Sequence, residues 1–439
     1  MNIQVQRAID RYVGVPVCAL LSLAARLCGR KPPAHPPRKI LIILLSEMGS
    51  LVLAHPMFVS LKERYSEASL HVMLFAKNRQ VLDLLRVVPE ENVLTLDDRD
   101  LGRFLSDIIK VIRTMRALRF DVVIDCELFA RVSSILSYLS GAPVRVGFHP
   151  HTQEGLYRGS FISRPVMYNP YRHLSQQFLT LVQAIESESI PVAKAVSLPA
   201  LDETPMLVFS PAEVNEATTK LHADFPAIKE KPLVLVNPSG GILPIRAWAL
   251  ENYQQLCSSL LAEGYAVGVT GLPSDRSIGQ TLVTYCQSPF CVNLTGYTKS
   301  VRHLLALFHR ASLLITNDGG PGQFAALTPV PMIIFFGPET PLLYRPLSTK
   351  AFCFYLQLSC SPCLTAYNHR TSACDGDNRC LKGISPKEVL SKAREILAAR
   401  GARPNRTEMP PEAMAPTYPN YLDLKMSTSY GKPLKNKPI

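Results

Sequence analysis

The sequence predicts an α/β protein with two doubly wound domains, each built on an open parallel sheet, which face one another across a cleft. Short runs of consecutive apolar residues, bounded by turn signals, occur in both halves of the chain, for example at residues 40–46 and 232–237. Such runs are typical of strands buried on both faces of a parallel sheet. With 439 residues, 47% hydrophobic and 19% charged, the chain can form two full cores.

The first half alternates strands with helices, as expected for right-handed βαβ units. Its predicted strands are residues 40–46, 70–75, 92–96 and 121–126, and its predicted helices are residues 51–65 and 107–118. We place the N-terminal domain at residues 38–187. A segment rich in Pro, Ser and charged residues, 188–231, follows it as a linker.

The second half repeats this alternation. Its predicted strands are residues 232–237, 266–271, 290–296, 312–318 and 331–337, with a helix at 250–263. We place the C-terminal domain at residues 232–399 and interpret 400–439, with seven prolines and little apolar periodicity, as a disordered basic tail. Ligands in such sheets bind beyond the carboxyl ends of the strands, so the turns that follow these strands are the candidate sites.

The net charge of +12 is concentrated at the two ends of the chain. Residues 1–39 carry seven Lys or Arg and one acidic residue, and residues 400–439 carry seven and three, which leaves the core near neutral. The core also lacks a basic groove interleaved with aromatic residues. A nucleic-acid partner is therefore not expected.

The N-terminal segment, residues 1–37, is predicted to associate with a membrane surface. Fourteen uncharged residues lie between Arg11 and Arg26, fewer than the roughly 20 apolar residues of a spanning helix. No convincing small-residue cleavage site supports a signal sequence. A short apolar stretch with basic flanks fits a segment lying in the headgroup layer of an anionic membrane, and a helix that caps the first domain is the alternative.

The most informative turn ends the strand predicted at 312–318. Asp318 is followed by Gly319 and Gly320, and a small-residue helix with Pro321 and Gln323 comes next. A glycine turn at a helix N-terminus presents free backbone N–H groups to an anion. We interpret it as the diphosphate end of a nucleotide-sugar site.

Two further turns support a diphosphate site. The residues concerned are Ser239, Gly240, Gly241, Arg246, Thr295 and Gly296. A diphosphate leaving group accumulates negative charge as the glycosidic bond breaks, and a nearby cation stabilises that charge. The alternative is that these glycines serve only the tight strand-to-helix turns found in any α/β protein.

The turn after the first strand contains Glu47, Met48, Gly49 and Ser50 and is predicted to face the cleft. A carboxylate there can act as general base towards an acceptor hydroxyl. The alternative is that Glu47 interacts with the positive N-terminus of the following helix.

Two groups of cysteine or histidine residues, which commonly bind metals, lie outside these turns. Cys360, Cys363, Cys374 and Cys380 form a C-x2-C-x10-C-x5-C pattern, which fits a structural zinc site, disulfides or four ordinary thiols. His149 and His151 form an H-x-H pair without an apparent third ligand, and a loop lining the cleft explains them as well. The single tryptophan, Trp248, is predicted to be a core anchor behind the Arg246 loop.

Several of these motifs together resemble glycosyltransferase family 9, the ADP-heptose:lipopolysaccharide heptosyltransferases and their relatives. The resemblance covers about residues 38–397. Its motifs are SLVLAHP at 50–56, R-x-W at 246–248, NLTG at 293–296, NDGGPGQFAAL at 317–327, FFGPETP at 335–341, and the C-x2-C loop leading to CLKGISPKEV.

The resemblance implies the GT-B fold, with the acceptor bound by the first domain and the nucleotide sugar by the second. It also implies transfer with inversion and without an obligatory metal or other cofactor. By position, Asp318, Gly319 and Gly320 match the diphosphate-binding turn of the family, and Arg246 takes the place of its phosphate-contacting Lys.

The chain departs from the family pattern at two positions. The family turn usually reads M-G-D with the Asp as general base, whereas Ser50 follows Met48 and Gly49 here. A serine cannot take up a proton at neutral pH as a carboxylate does, so either Glu47 replaces it as base or this branch has altered activity. Gln323 stands where the family has His, and it can donate a hydrogen bond but carries no charge.

Together these observations predict an inverting glycosyltransferase of lipopolysaccharide or envelope polysaccharide assembly, peripheral on the cytoplasmic face of a bacterial inner membrane. Its expected partners are an ADP-heptose-like donor, a glycolipid or lipopolysaccharide acceptor and the membrane surface. A sugar-nucleotide-binding pseudoenzyme or assembly partner with the same fold is the alternative function.

Overall fold

A computed structural model describes residues 3–27, 35–45, 47–128, 130–148, 157–187, 204–365, 372, 374 and 376–402. His149 and His151, the first part of the predicted linker and nearly all of the predicted tail lie outside these residues. In the described part, the strands form two parallel sheets of six strands each. We call the parts of the chain built on them the N-terminal and the C-terminal lobe.

The N-terminal lobe has the strand order β3-β2-β1-β4-β5-β6. Its strands are β1 (Lys39–Ile43), β2 (Ser69–Phe75), β3 (Val93–Leu96), β4 (Val122–Asp125), β5 (Val144–Phe148) and β6 (Arg164–Val166). Its helices are α1 (Ile3–Tyr12), α2 (Gly14–Leu27), α3 (Met48–Leu53), α4 (His55–Arg64), α5 (Arg79–Leu85), α6 (Leu101–Leu118), α7 (Arg131–Leu139) and α8 (Leu174–Ala184).

The C-terminal lobe has the strand order β12-β11-β10-β7-β8-β9. Its strands are β7 (Leu233–Asn237), β8 (Ala266–Gly271), β9 (Cys291–Thr295), β10 (Leu313–Asn317), β11 (Met332–Phe336) and β12 (Ala351–Tyr355). Its helices are α9 (Pro211–Asp224), α10 (Leu250–Ala262), α11 (Arg276–Cys286), α12 (Val301–Arg310), α13 (Gly320–Ala325), α14 (Pro341–Tyr344), α15 (Arg379–Lys382) and α16 (Pro386–Ala399).

The two sheets confirm the predicted doubly wound architecture. In each sheet the first strand of the lobe, β1 or β7, lies inside the sheet and the chain crosses over to strands on both sides of it. Both strands are almost completely buried, as their continuous apolar sequence predicts.

The structure differs from the sequence prediction at two helices. The helix predicted at 51–65 is divided into α3 and α4 at Ala54, because Pro56 stands in the first turn of α4 and has no N–H to continue the α3 ladder. The range predicted as a linker contains α9, which begins with a capping box of Ser210 and Glu213 and packs on α12.

The lobes contact one another through packed side chains and hydrogen bonds. Helix α3 of the N-terminal lobe packs on α13 of the C-terminal lobe. The imidazole of His173 lies with Nε2 2.9 Å from the carbonyl oxygen of Arg345. The carboxyl ends of β1 and β10 are thereby brought to the same region.

The N-terminal helices α1 and α2 pack on α7. The buried side of α2 is formed by Gly14, Cys18 and Ser22, and the carboxylate of Asp10 accepts from the backbone N–H of Arg131 at 2.7 Å. These helices cap the first lobe, as one of the two sequence hypotheses expects.

The outer side of these helices remains apolar. Taken together, Ala8–Leu27 is a helical stretch of 20 residues that by length and composition could cross a membrane, and 17% of it is buried in the fold. The apolar stretch identified from the sequence was shorter, because it was taken to begin after Arg11. Core helices and signal sequences share this length and composition, so we draw no membrane span from it.

Candidate functional site

The two glycine turns predicted to bind acceptor and donor meet between the lobes. A Cβ atom on Gly49 would lie 3.0 Å from Cγ of Gln323 and 4.0 Å from Cα of Gly320. The turn of Met48, Gly49 and Ser50 therefore lies directly against the turn that follows β10. The structure brings these predicted site residues together although some 270 residues separate them in the chain.

Glu47 is exposed and holds an unusual backbone conformation, with φ 61° and ψ 103°. A positive φ in a non-glycine residue is strained and is often found at functional sites. Glu47 occupies the N-cap position of α3 but makes no side-chain capping hydrogen bond. Instead, the hydroxyl of Ser50 donates to its Oε2 at 3.4 Å. Glu47 stands at the N-terminus of α3 with its carboxylate at the surface, an arrangement that fits both the general-base and the capping hypotheses.

A cluster of buried charges lies behind the donor turn. Arg246 Nη2 lies 2.7 Å from Oε2 of Glu339, and Arg246 Nε lies 3.8 Å from Oδ2 of Asp318. The two carboxyl groups are buried and the Arg246 side chain is 14% exposed, so both acidic residues share one largely buried guanidinium. Arg246, predicted to contact phosphate, thus already has two acidic neighbours.

Burial raises the pKa of Glu339 to about 8, against the opposing effect of Arg246. Burial likewise raises the pKa of Asp318, and Arg246 again opposes the shift. Ionising both carboxyl groups beside one guanidinium is unfavourable in a buried site, because the two negative charges repel each other. The pair therefore shares a proton near neutral pH.

Sequence analysis missed Glu339. It quoted the motif FFGPETP, in which Glu339 lies three residues beyond the end of β11, without giving this residue a role. The signal that could have identified Glu339 is an acidic residue so close to the carboxyl end of a buried strand.

Ser239 contacts a second missed residue, Asp275, while the N–H of Gly296, which follows Thr295, donates to the carbonyl oxygen of Gly271 at 2.9 Å. The hydroxyl of Ser239 donates to Oδ1 of Asp275 at 2.9 Å, and Oδ2 of Asp275 accepts from the N–H of Leu272 at 2.8 Å. A Cβ on Gly271 would contact both Asp275 and Thr295. Gly296, at φ 70°, packs on Pro273.

Gly240 and Gly241 are explained by the turn itself. A Cβ on Gly240 would lie 2.8 Å from the carbonyl oxygen of Leu243, and Gly241 has φ 62°. A side chain at Gly240 would collide with the backbone of the same loop, and the positive φ of Gly241 favours glycine. The alternative that these glycines serve only a tight turn therefore accounts for both. Gly319, in contrast, has an extended backbone, and a Cβ there would lie in ordinary contact with Cδ of Pro321 at 3.9 Å.

Asn317 joins the two groups of site residues. Its Oδ1 accepts from the backbone N–H of Trp248 at 2.9 Å, and its Nδ2 donates to the carbonyl oxygen of Ser239 at 3.1 Å. Trp248 is buried and donates its indole N–H to the carbonyl oxygen of Ile384. The predicted role of Trp248 as a core anchor is confirmed.

Gln323 is buried between the lobes. Its Nε2 donates to the carbonyl oxygen of Tyr344 at 2.7 Å, and its Oε1 makes no hydrogen bond within the described part of the chain. Pro321 stands in the first turn of α13, where its missing N–H costs nothing. The amide of Gln323 is therefore fixed with an acceptor available beside Gly49.

The four cysteines of the predicted structural metal site differ in exposure. Cys360 and Cys374 are exposed, Cys363 is half-buried and Cys380 is buried, with its Sγ under Gly337. Among the described residues, which omit much of this loop, no group of three or more His, Cys, Asp or Glu side chains is arranged to hold a metal. The structural zinc stays a prediction.

The two doubly wound parallel sheets, with glycine turns at their carboxyl edges, form the GT-B fold. Residues 108–372 match the profile of glycosyltransferase family 9 (heptosyltransferase). The chain belongs to this family, and the protein is a glycosyltransferase.

The match with similar proteins covers nearly the whole length of each of them. Lipopolysaccharide heptosyltransferase 2 of Salmonella typhimurium is 25% identical over 373 residues, which are 83% of this chain and 99% of that protein. Lipooligosaccharide heptosyltransferase 2 of Haemophilus influenzae is 27% identical over 369 residues, 82% of this chain and 99% of that protein. The structure of the E. coli ADP-heptose lps heptosyltransferase II has the same fold, with a TM-score of 0.64 at 22% identity over 83% of this chain and all of that one.

Proposed function

We propose that the protein transfers a heptose from an ADP-heptose-like donor to a lipopolysaccharide acceptor, with inversion at the anomeric carbon and without a required metal. The observation that carries the proposal is the contact between the Gly49 turn and the Gln323 turn. This contact supports a site between the lobes, with Glu47 proposed as base on one side and the turn of Asp318, Gly319 and Gly320 proposed to bind diphosphate on the other. The names of the similar proteins supply the sugar and the acceptor.

In this mechanism the carboxylate of Glu47 takes the proton of the acceptor hydroxyl. The acceptor oxygen then attacks the anomeric carbon from the face opposite the diphosphate, and the bond from that carbon to the diphosphate oxygen breaks with its electron pair. Arg246 and the turn of Asp318, Gly319 and Gly320 stabilise the charge that develops on the leaving group. Closure of the lobes excludes water and limits hydrolysis of the donor.

A transfer assay tests this function. ADP-heptose and a lipopolysaccharide core that lacks its heptose residues are the substrates, and ADP release and the product mass are measured together. Transfer that needs both substrates, and that is lost in Asp318→Asn but kept in the surface control Asp224→Asn, supports the proposal. ADP release that is independent of acceptor would contradict it.

The pseudoenzyme alternative is favoured by one observation, the serine at position 50. It predicts that a nucleoside diphosphate stabilises the protein in a thermal-shift experiment while no sugar is transferred to any lipopolysaccharide core. Binding without turnover in the wild type would therefore select this alternative.

We further propose that α1 and α2 hold the protein on an anionic membrane as a peripheral protein, at the cytoplasmic face of the inner membrane. The helices dock on α7 by one side and expose Tyr12, Leu20, Leu23 and Leu27 on the other, with 68% of Leu20 accessible. Arg11 and Arg26 flank this apolar side.

On the same side of the N-terminal sheet as α7, helix α6 exposes Leu101, Leu105 and Ile109 at a spacing of four residues. These side chains form a second apolar stripe, with Arg103 and Lys110 on the same helix. Two exposed apolar helix faces with basic neighbours suit a headgroup layer.

Vesicle flotation tests the membrane proposal. Leu20→Ser with Leu23→Ser should abolish flotation with vesicles that contain anionic lipid, because both side chains point away from the fold. Point substitutions are preferable to deletion, since deletion would also remove the contact between Asp10 and Arg131. Undiminished flotation of a folded double variant would overturn the proposal.

A further inference from the structure

Glu339 forms the shortest contact that Arg246 makes with the two acidic residues beside it. The Nη2 to Oε2 distance is 2.7 Å, against 3.8 Å from Nε to Oδ2 of Asp318. The Glu339 side chain is 3% exposed and the Arg246 side chain 14% exposed. A buried guanidinium held by a charge-assisted hydrogen bond keeps one orientation. The orientation of the predicted phosphate-binding cation is therefore set mainly by Glu339.

The cluster has one positive group and two acidic groups. When both carboxyls are ionised neither can donate a hydrogen bond to the other, and the cluster carries a net charge of about −1. When one proton is present on the pair, the cluster is neutral, because the carboxylate that stays ionised is balanced by the guanidinium of Arg246, which lies 2.7 Å from Glu339 and 3.8 Å from Asp318.

The other titratable groups around the cluster do not change its net charge. Tyr344 of α14 faces both carboxyls and hydrogen-bonds Tyr168 of the N-terminal lobe, and Cys353 of β12 faces Asp318. Burial raises the pKa of both Tyr344 and Cys353 above their ordinary values, so both stay neutral. Arg246 is the cation that acts most strongly on Glu339, and Arg345 at the end of α14 acts on Cys353.

We propose that Glu339 is a positioning residue for the donor site, which orients Arg246 towards the donor diphosphate and takes up a proton when the diphosphate binds. This inference rests on the proposed function, because it assumes that a nucleoside diphosphate binds beside Arg246. The diphosphate brings negative charge to a site whose cation is already shared by two carboxyls. The protonated pair is the form that tolerates this charge.

The proposal makes donor affinity depend on pH in a defined direction. Below about pH 8 the pair already carries its proton, so its titration adds nothing to the pH dependence of the Kd for a nucleoside diphosphate. Above about pH 8 the proton must be taken up from solution, and the Kd rises by about tenfold per pH unit. Glu339→Gln keeps the shape and a donor group but cannot ionise, so its Kd should not rise above about pH 8.

The experiment is isothermal titration calorimetry on the full-length protein. ADP, GDP, UDP and CDP are first compared by thermal shift, and the nucleotide that stabilises most is titrated at about pH 8 in phosphate and in Tris. These buffers differ in ionisation enthalpy, so the difference in heat gives the number of protons taken up. Wild type should take up about half a proton there, and Glu339→Gln about none.

Glu216→Gln, on the exposed side of α9, is the matched control and should take up the same number of protons as wild type. Circular dichroism and a thermal melt confirm that Glu339→Gln is folded. Glu339→Asp is the second variant: it keeps the charge on a shorter side chain and should retain proton uptake while binding more weakly.

The outcomes separate the two proposals. Proton uptake in wild type that is lost in Glu339→Gln supports the role of Glu339. Tight binding without proton uptake, or equal uptake in wild type and Glu339→Gln, overturns that role and leaves the donor site intact. If none of the four nucleotides binds between about pH 6 and pH 9, the donor site itself is wrong, and the inference falls with it.

Discussion

Ser50 donates its hydroxyl to the carboxylate of Glu47 over 3.4 Å. The residue that replaces the family aspartate is thus a hydrogen-bond partner of the carboxylate that stands three positions before it. The turn therefore still presents a carboxylate, that of Glu47, and the proposed proton transfer can be tested at both positions.

Glu47→Gln should lower kcat by about a hundredfold or more and leave the donor Kd unchanged, because an amide cannot accept a proton at neutral pH. Steady-state kinetics and calorimetry of the same preparation measure the two quantities. Glu67→Gln, an exposed residue outside the site, is the control. Full activity of Glu47→Gln would assign the base to another residue.

Ser50→Asp in the Glu47→Gln background should restore part of the lost kcat, because it places a carboxylate at the position where the family usually has one. The two residues share one turn, so a carboxylate at either position lies near the same acceptor hydroxyl. A double variant no more active than Glu47→Gln would mean that the turn is oriented differently from the family turn.

The sequence predicted nine of the twelve strands in the described part of the chain, and one of them, β8, with the same limits. It missed β5, whose apolar run is interrupted by Arg145 and Gly147. It also missed β12, which is half-buried along its length, and β6, which is three residues long and contains Pro165. Periodicity carries little signal in an edge strand or in so short a strand.

The candidate site was predictable where it depends on local turn chemistry. The turns at Gly49 and Gly319 were recognised, because glycine after a buried strand is a local pattern. Glu339 and Asp275 were not assigned, because each is a single acidic residue whose site partner, Arg246 or Ser239, is distant in sequence. Glu339 lies 93 residues from Arg246, and only the folded lobe brings them together.

Gly49→Val should destabilise the protein by about 1–3 kcal/mol and reduce transfer, because the new side chain meets Gln323 Cγ, which is 3.0 Å from a Cβ at this position. Urea unfolding and the transfer assay measure both effects. Gly102→Ala is the control: its Cβ has only ordinary contact with Asp100, and alanine is the better helix former.

Gln323→Ala in the Gly49→Val background should recover part of the lost stability, since it removes the side chain that the valine meets. Additive effects of the two substitutions would show that Gly49 and Gln323 are not in contact in solution.

His173 should make the contact between the lobes sensitive to acid. Burial lowers the pKa of His173 to about 4, while its Nε2–H donates to the carbonyl oxygen of Arg345. A histidine with a depressed pKa contributes stability above its unfolded pKa of 6.5, and this contribution is lost as pH falls from there towards 4.

Acidification from about pH 7 to pH 4.5 should therefore cost wild type on the order of 3 kcal/mol more than His173→Gln, which cannot titrate. Urea unfolding of both proteins at a series of pH values measures the difference. Parallel pH profiles would show that His173 is accessible to solvent. His35, which is exposed, supplies the control as His35→Gln.

Glu127 should position the base-bearing turn. Its Oε1 accepts from the backbone N–H of Leu45 at 2.7 Å, two residues before Glu47, and its own N–H donates to Oδ1 of Asp125 at 3.1 Å. Asp125 is in turn paired with Arg158 in the core of the N-terminal lobe. The strand end that leads into the turn is thereby tied to a buried ion pair.

Glu127→Ala leaves the N–H of Leu45 buried without this acceptor, which should cost about 1–3 kcal/mol of stability. If Glu127 positions Glu47, kcat also falls by about tenfold while the donor Kd is unchanged, because the donor turn belongs to the other lobe. Stability by urea unfolding, kcat and donor Kd are measured on one preparation at a temperature where the variant is folded. Loss of stability with unchanged kcat would show that Glu127 supports the fold alone and that the Glu47 turn holds its position without it.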